Sequence, residues 1–508
     1  MILPDSPPPA PTDPTSTVAE QTRLGMEAHA RGDLDTCIDH FHRALELAPD
    51  MAEAHNNLGV ALHAVARYAE AARCFQDALA IVPDDAVTLH HLGLALQDEG
   101  RLEEAVACFR QAVELAPDFA IAHNDLGGAL IRQGLAREGV ASLERAIHID
   151  PRCADAMANI GLACEDAGMF SEAFQATLRA LQIAPGHAEA HTTLGMMLLR
   201  AGHYADGWRE YEWRWQCRRF KRPAVHGPIW DGASLQGRTI LLTAEQGIGD
   251  TVQFFRYGEM LAAMGARVIG WCPRPLVPIL STCPGYAELV ASDAPLPPFD
   301  VQASVMSVPG LVGTQLETIP ASVPYLQAAP ERIEAWRRAL AAGAGAERPF
   351  TIGVAWQGSR SVATYSSGRN RSYPPQSLAP LALPGVRFLS LQAGPDRQRD
   401  PLPAGLPGFD PGMALESDPD AAFLDTAAAI MTCDLVISCD TSIAHLAGAL
   451  GAPVWTALPL VADWRWLVDR DDSPWYPSMR LFRQRHLGDW AEVFESMAAR
   501  LKEQIDAG

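Results

Sequence analysis

Two loops in the C-terminal half place polar side chains directly after apolar stretches. In the first loop, the apolar run Ile240–Thr243 is followed by Gln246-Gly247-Ile248-Gly249-Asp250. The two glycines allow the backbone to approach a ligand closely. A carboxylate at the start of the next helix can cap that helix, or it can take a proton from a reacting hydroxyl. Both roles remain open for Asp250.

The second loop follows the apolar run Leu435–Ser438 and reads Cys439-Asp440-Thr441-Ser442. A helix that begins here would offer free N–H groups and its positive dipole end to an anion such as a diphosphate. Thr441 and Ser442 add hydroxyl donors, and Asp440 can accept from sugar or ribose hydroxyls. His445, one turn into the helix, is either a contact to phosphate or sugar or a buried core histidine.

Weaker candidates surround these loops. Gln357 and Gly358 end a predicted strand, and a polar loop with Ser359, Arg360, Arg369 and Arg371 follows them. Long polar loops beside a cleft are often lids. Arg465 lies in Asp463-Trp464-Arg465-Trp466, where it could meet phosphate or simply pack.

The elements that carry these loops alternate between strands and helices after residue 237. This alternation predicts parallel sheets covered on both faces. A small-residue break near 341–348 divides them into two α/β lobes, 237–345 and 346–508. Ligands of open α/β sheets bind beyond the carboxyl ends of the strands, so both loops are expected to face one cleft.

The N-terminal half repeats every 34 residues, with glycines at 25, 59, 93, 127, 161 and 195. Alanines (44, 78, 112, 146 and 180) and prolines (49, 83, 117, 151 and 185) keep the same step. This period predicts paired helices that must stack on their neighbours, because one pair cannot bury its apolar face alone. Residues 18–221 are thus predicted to hold five full repeats and a partial sixth, with an aromatic end at 207–215.

Charge and composition exclude several classes. The net charge of −21 disfavours binding to bare nucleic acid. Residues 18–186 carry 26 acidic against 12 basic side chains, which is expected of either a solvated acidic scaffold or a groove for an extended polypeptide. The Pro-rich residues 1–17 are predicted to be a disordered tail rather than a signal peptide, and 222–236 a connector. Ten scattered cysteines and the lack of a long apolar span predict a cytoplasmic protein.

The repeats resemble the tetratricopeptide repeat. Segment 240–264 resembles the opening of the ADP-heptose transferases, and Asp440-Thr441-Ser442-Ile443-Ala444-His445-Leu446 matches the Asp-Thr-x-x-x-His-Leu signature of heptosyltransferase-like families. This resemblance implies an α-solenoid followed by the two lobes of a glycosyltransferase B fold, whose terminal helix returns onto the first lobe. It also implies that Asp250 is the general base. Taken with the loop chemistry, the predicted donor-binding residues are Gln246, Gly247, Gly249, Gln357, Gly358, Arg371, Asp440, Thr441, Ser442 and His445, with Arg371 standing in for the family's lysine.

In this order the two parts resemble protein O-GlcNAc transferases and bacterial flagellin glycosyltransferases. The resemblance implies an inverting transfer of a sugar from a nucleotide-sugar to a protein Ser or Thr hydroxyl, without metal or cofactor. The acceptor, such as flagellin or another surface protein, would lie in the repeat groove, where Asn57 and Asn159 match part of an asparagine ladder. One alternative is an interaction scaffold with a degenerate transferase domain. Another is a glycan acceptor, with the repeats serving assembly alone.

Overall fold

The computed structural model describes residues 17–218, 220–341, 348–358, 371–392, 401–411 and 422–507. The predicted tail, except for Thr17, and the loop residues Ser359, Arg360 and Arg369 lie outside these ranges. The chain divides into two compact units, one comprising residues up to 163 with 182–185 and the other 164–181 with everything from 186. The division therefore differs from the predicted boundary at residue 221.

The repeat helices follow one another in six consecutive pairs. They are α1 (Val18–Ala30), α2 (Leu34–Leu47), α3 (Ala52–Ala64), α4 (Tyr68–Ile81), α5 (Ala86–Glu99), α6 (Leu102–Leu115), α7 (Ala120–Gln133), α8 (Ala136–Ile149), α9 (Ala154–Asp166), α10 (Phe170–Ile183), α11 (Ala188–Arg200) and α12 (Tyr204–Tyr211).

The repeated glycines lie where the two helices of a pair touch. A Cβ at Gly59 would come within 2.6 Å of Phe75 Cε1, and one at Gly93 within 2.5 Å of Phe109 Cε1. Only glycine permits this approach. The repeated alanines are also buried: Ala44, Ala78, Ala112, Ala146 and Ala180. The prolines of the period follow the second helix of each pair, which cannot continue through them.

The second unit contains two all-parallel sheets, as the alternation of strands and helices predicts. The first has the order β3-β2-β1-β4, with β1 (Thr239–Thr243), β2 (Arg267–Cys272), β3 (Tyr286–Ala291) and β4 (Val301–Ser304). Its helices are α13 (Ile248–Phe254), α14 (Tyr257–Ala263), α15 (Val277–Leu280) and α16 (Val308–Leu311), and α17 (Pro330–Ala341) leads out of it. Two short helices, α13 and α14, thus follow β1.

The second sheet has the order β10-β9-β8-β5-β6-β7. Its strands are β5 (Phe350–Ala355), β6 (Val386–Ser390), β7 (Gly408–Phe409), β8 (Leu435–Cys439), β9 (Val454–Leu458) and β10 (Met479–Arg483). The accompanying α-helices are α18 (Ala422–Ile430), α19 (Ser442–Ala449) and α20 (Trp490–Ala507). Residues 375–381 form a 3-10 helix that contains Pro380. Proline lacks the N–H that an α-helix requires there.

The terminal helix α20 differs from the expectation that it returns to the first lobe. Its buried residues Trp490, Phe494 and Met497 belong to the core of the second sheet, together with Phe388. The Phe494 ring packs edge-on against Tyr373 at 4.7 Å between centroids. The apolar stripe of the helix is thus covered by its own sheet.

The aromatic end of the repeats packs against the α/β part of the chain within the second unit. Trp208 is buried with its ring 5.2 Å from Trp464, and both rings lie near Phe254. Arg214 is also fully buried here. These contacts give a physical reason why α11 and α12 belong to the second unit rather than to the first.

Candidate active site

The two loops singled out in the sequence lie against each other. Each follows the carboxyl end of a parallel strand, β1 for the first loop and β8 for the second. A Cβ on Gly249 would stand 2.7 Å from His445 Cδ2 and 3.6 Å from Ser442 Cα. Glycine at 249 therefore lets the start of α13 approach the start of α19, as the rule for open α/β sheets leads one to expect.

Asp250 lies in the first turn of α13 and uses both carboxylate oxygens. Oδ2 accepts the Gly247 N–H at 2.9 Å, so Asp250 does cap its own helix. Oδ1 accepts from Nη2 of Arg465. The side chain nevertheless keeps 16% of its surface exposed. An ionised carboxylate offers about four acceptor positions, so these two bonds leave Asp250 able to accept a further proton donor.

Arg465 is the buried cation of this site. Its side chain is 5% exposed, and Nη1 lies 3.2 Å from Asp463 Oδ1. Burial acts to lower the pKa of Arg465, but the carboxylates of Asp463, Asp250 and Asp440 outweigh burial and raise it. The guanidinium is therefore a permanent positive charge that neutralises part of an acidic cluster.

Asp440 is buried at the end of β8. Its Oδ2 accepts no hydrogen bond within the described part of the chain, and Nη1 of Arg371 lies 3.9 Å from it. Burial raises the pKa of Asp440, with Asp463 adding to the effect while Arg371 and Arg465 oppose it. An unbonded buried carboxylate oxygen is costly, which suits an acceptor that a ligand hydroxyl could satisfy.

The start of α19 is the part of the junction open to solvent. Thr441 and Ser442 are half-buried, and Thr441 adopts the extended conformation of a residue before a helix. Its side chain does not cap the helix and instead shares a hydrogen bond with the Ser438 hydroxyl at 3.1 Å. The junction thus combines a helix N-terminus with accessible hydroxyls, the combination expected at an anion site.

His445 is placed as a core residue. It is buried, its Nδ1 shares a hydrogen bond with the Tyr476 hydroxyl at 3.0 Å, and its ring stacks on Trp466. Burial lowers the pKa of His445 well below its ordinary value, with Arg465 adding to the effect. The neutral ring packs between Trp466 and the backbone of Gly249, so the structure favours the core alternative left open in the sequence.

Gln357 and Gly358 lie at the end of β5, beside the same junction. The Gln392 side chain bonds both the N–H and the carbonyl of Gln357, at 3.0 and 2.9 Å. A Cβ on Gly358 would contact Thr441 at 3.4 Å, so this backbone lies beside the helix start. Gln392, which the sequence did not single out, fixes the turn. Its position just after the carboxyl end of β6 was the sequence feature that could have identified it.

Gln246 has a positive φ of 58°, which a residue with a side chain rarely adopts. Its Nε2 donates to the Tyr211 hydroxyl at 2.8 Å and to Glu245 at 3.0 Å. Glu245 in turn accepts from Nε and Nη2 of the buried Arg214, at 3.1 and 3.2 Å. Glu245 and Arg214 were missed in the sequence, although an acidic residue two positions after the end of β1 was a visible signal. Together they anchor the loop before Asp250.

The candidate groove residues belong to the first unit, where polar side chains of successive repeats bond to one another. Nδ2 of Asn159 donates to Asn124 Oδ1 at 2.9 Å, and His90 and Asp125 are joined at 2.7 Å. Asn57 is half-buried. One side-chain donor of Asn159 is therefore already hydrogen-bonded within the repeats and is not free to bind a peptide.

One group of described residues has metal-ligand spacing: His486, Asp489 and Glu492. It lies around the start of α20, apart from the residues above in sequence, and exposed acidic groups are common without an ion. No helix among the described residues is both long and apolar enough to cross a membrane.

Two tetratricopeptide-repeat family models match the chain, one over residues 18–84 and 50–118 and the other over residues 129–188. The chain is also similar to protein FlbA of Caulobacter vibrioides, with 28% identity over 329 residues that cover 59% of this chain and 52% of FlbA. This chain thus spans about half the length of that relative.

Similar solved structures cover about a third of this chain. They include MamA (23% identity, 33% of this chain and 97% of MamA, TM-score 0.30) and TTC0263 of Thermus thermophilus (22% identity, 36% of this chain and 100% of TTC0263, TM-score 0.32). The family models and the helix pairs agree on one identification: the N-terminal part of the chain consists of tetratricopeptide repeats.

Proposed function

We propose that the chain is an inverting glycosyltransferase with a glycosyltransferase B fold, which moves a sugar from a nucleotide-sugar to a Ser or Thr hydroxyl of a protein. The observation that carries the proposal is the contact of the Gly247–Asp250 turn with the start of α19. It sets a partly exposed carboxylate close to a helix N-terminus that could hold a diphosphate.

In the proposed reaction the acceptor oxygen attacks the anomeric carbon, and the hydroxyl proton passes to Asp250. The bond from that carbon to the phosphate oxygen breaks, and its electron pair leaves with the nucleoside diphosphate. The N–H groups at the start of α19, with Thr441 and Ser442, would stabilise the departing charge. Arg371 would supply positive charge at the same junction, and Asp440 would accept a sugar or ribose hydroxyl. No step in this scheme requires a metal.

The repeats would recruit the acceptor protein. Tetratricopeptide arrays form extended surfaces that bind partner polypeptides. The excess of acidic residues from 18 to 186 favours an acceptor segment with a basic or neutral sequence. Flagellin and other surface proteins remain candidates through the resemblance to flagellin glycosyltransferases.

A scaffold without catalysis is the second candidate. It is favoured by the two contacts of Asp250, since a purely structural residue at a helix start would make the same bonds to Gly247 and Arg465. Under this hypothesis the α/β unit serves only to present or assemble the repeats.

The test is donor consumption by the full chain. UDP-, ADP- and GDP-linked hexoses are supplied, release of the nucleoside diphosphate is followed, and modified proteins are identified by mass spectrometry. We expect turnover of at least one donor and a loss of about 100-fold or more in Asp250→Asn, the range of general-base catalysis. Consumption of none of these donors, or full activity in a folded Asp250→Asn variant, would favour the scaffold.

A further inference from the structure

Arg465 stands between two carboxylates of the candidate site. Nη2 donates to Asp250, while Nη1 and the backbone N–H of Arg465 both lie 3.2 Å from Oδ1 of Asp463. The two ends of the guanidinium are therefore both engaged. A guanidinium has five N–H donors in a fixed planar fork, so holding one end on Asp463 sets the direction in which the other end meets Asp250.

Burial decides whether this cation could instead hold a donor phosphate. The side chain is 5% exposed, and its remaining nitrogen, Nε, is buried without a partner in the described chain. Trp464 and Trp466 on either side are buried as well, with the guanidinium carbon 5.1 Å from the Trp464 ring centre. The guanidinium therefore has little open surface through which a phosphate could reach it.

The effect on Asp250 is to hold its carboxylate from both sides. Gly247 N–H holds Oδ2 and Arg465 holds Oδ1, so the carboxylate plane is fixed while part of the group stays exposed. A general base must lie within hydrogen-bond reach of the proton it takes, and small errors of orientation are costly.

We infer that Arg465 and Asp463 are positioning residues that orient the Asp250 carboxylate toward the acceptor hydroxyl, and that neither binds the donor diphosphate. This inference rests on the proposed function, because it concerns the same transfer. It assigns the Asp-Trp-Arg-Trp segment a role in the chemical step rather than in donor affinity.

The experiment uses the full chain and the nucleotide-sugar that it consumes, with variants Arg465→Lys and Asp463→Asn. Each should lower kcat by about 10–100-fold, while KM for the donor and the Kd of its nucleoside diphosphate stay within about twofold. Asp463 is 24% exposed, so its variant should fold even if Arg465→Lys does not. Asp472→Asn is the matched control, since it breaks an arginine–carboxylate pair with Arg470 in the same segment, with Asp472 65% exposed.

Several results would overturn the inference. An unchanged kcat in Asp463→Asn would do so, as would tenfold weaker binding of the nucleoside diphosphate by either variant. A melting-temperature cycle of Asp250→Asn, Arg465→Lys and the double variant checks the pairing without turnover. If the decrease in melting temperature of the double variant equals the sum of the decreases of the two single variants, the pairing is refuted, but the transfer reaction is not. If the unmodified chain consumes no donor, the proposed function has failed and the positioning role fails with it.

Discussion

Replacing Gly249 by alanine tests the contact between the two loops. The added Cβ would stand 2.7 Å from Cδ2 of His445, about 1 Å closer than ordinary contact between carbon atoms. The ring has little room to move, because Trp466 stacks on it at 5.3 Å between centroids and Tyr476 holds its Nδ1. Overpacking of this kind costs about 1–3 kcal/mol. We expect a melting temperature lower by roughly 2–8 °C, from the usual scaling for large domains.

The assay is thermal unfolding of the full chain followed by tryptophan fluorescence. Gly405→Ala is the matched control, because no atom of the described residues lies within 4 Å of the Cβ that it would add. Gly405→Ala should melt within about 1 °C of the unmodified chain, the scale of a surface substitution. If Gly249→Ala melts like Gly405→Ala, the start of α13 does not pack on the start of α19. The site argued above would then lose its basis.

Two further predictions concern packing and pH. Gly127→Ala would put a Cβ 2.6 Å from Leu143 Cγ, whereas the Cβ of the neighbouring Gly128→Ala would meet, among the described residues, Asn159 Nδ2 alone, at 3.7 Å. Circular dichroism should therefore show Gly127→Ala destabilised by about 1–3 kcal/mol and Gly128→Ala unchanged or stabilised by up to about 1 kcal/mol; equal effects would contradict the pairing. Burial, with Glu165 adding and Arg200 opposing, raises the pKa of Asp166 to about 7. Its proton thus stabilises the fold below about pH 4, and this stabilisation is lost as the pH rises through 7. Asp166→Asn should have the same melting temperature as the unmodified chain at pH 4 and a higher one at pH 8. A variant that melts below the unmodified chain at pH 8 would refute the raised pKa of Asp166.

The repeats could be predicted closely because one physical requirement recurs at each step of 34 residues. Where helices touch, only glycine or alanine fits, and Gly59 and Ala78 show this directly. Buried parallel strands were equally visible, since β1 and β8 each contain three consecutive apolar residues, Ile240–Leu242 and Leu435–Ile437.

Strands and helices with one solvent-exposed face were not predicted from the sequence. β10 lies at the edge of its sheet and reads Met-Arg-Leu-Phe-Arg, so arginines interrupt its apolar pattern. α17 begins with proline and carries five charged residues among twelve, which leaves only Trp336 and Leu340 to mark its buried side. Their places depend on what the rest of the fold leaves open, which local composition does not encode.

The same distinction applies to the candidate site: the sequence shows the chemical type of its residues but not which of them contact one another. A carboxylate after a glycine turn and hydroxyls after an apolar strand are local patterns, so Asp250, Thr441 and Ser442 could be proposed without coordinates. That Asp250 meets Arg465 could not, since 215 residues separate them and no local pattern ties one to the other. The pairing changes the interpretation of both residues. Exposed and alone, Arg465 would be a natural phosphate ligand, whereas a guanidinium buried between two carboxylates is placed to orient them. The role of a charged side chain is thus decided by what has already neutralised it.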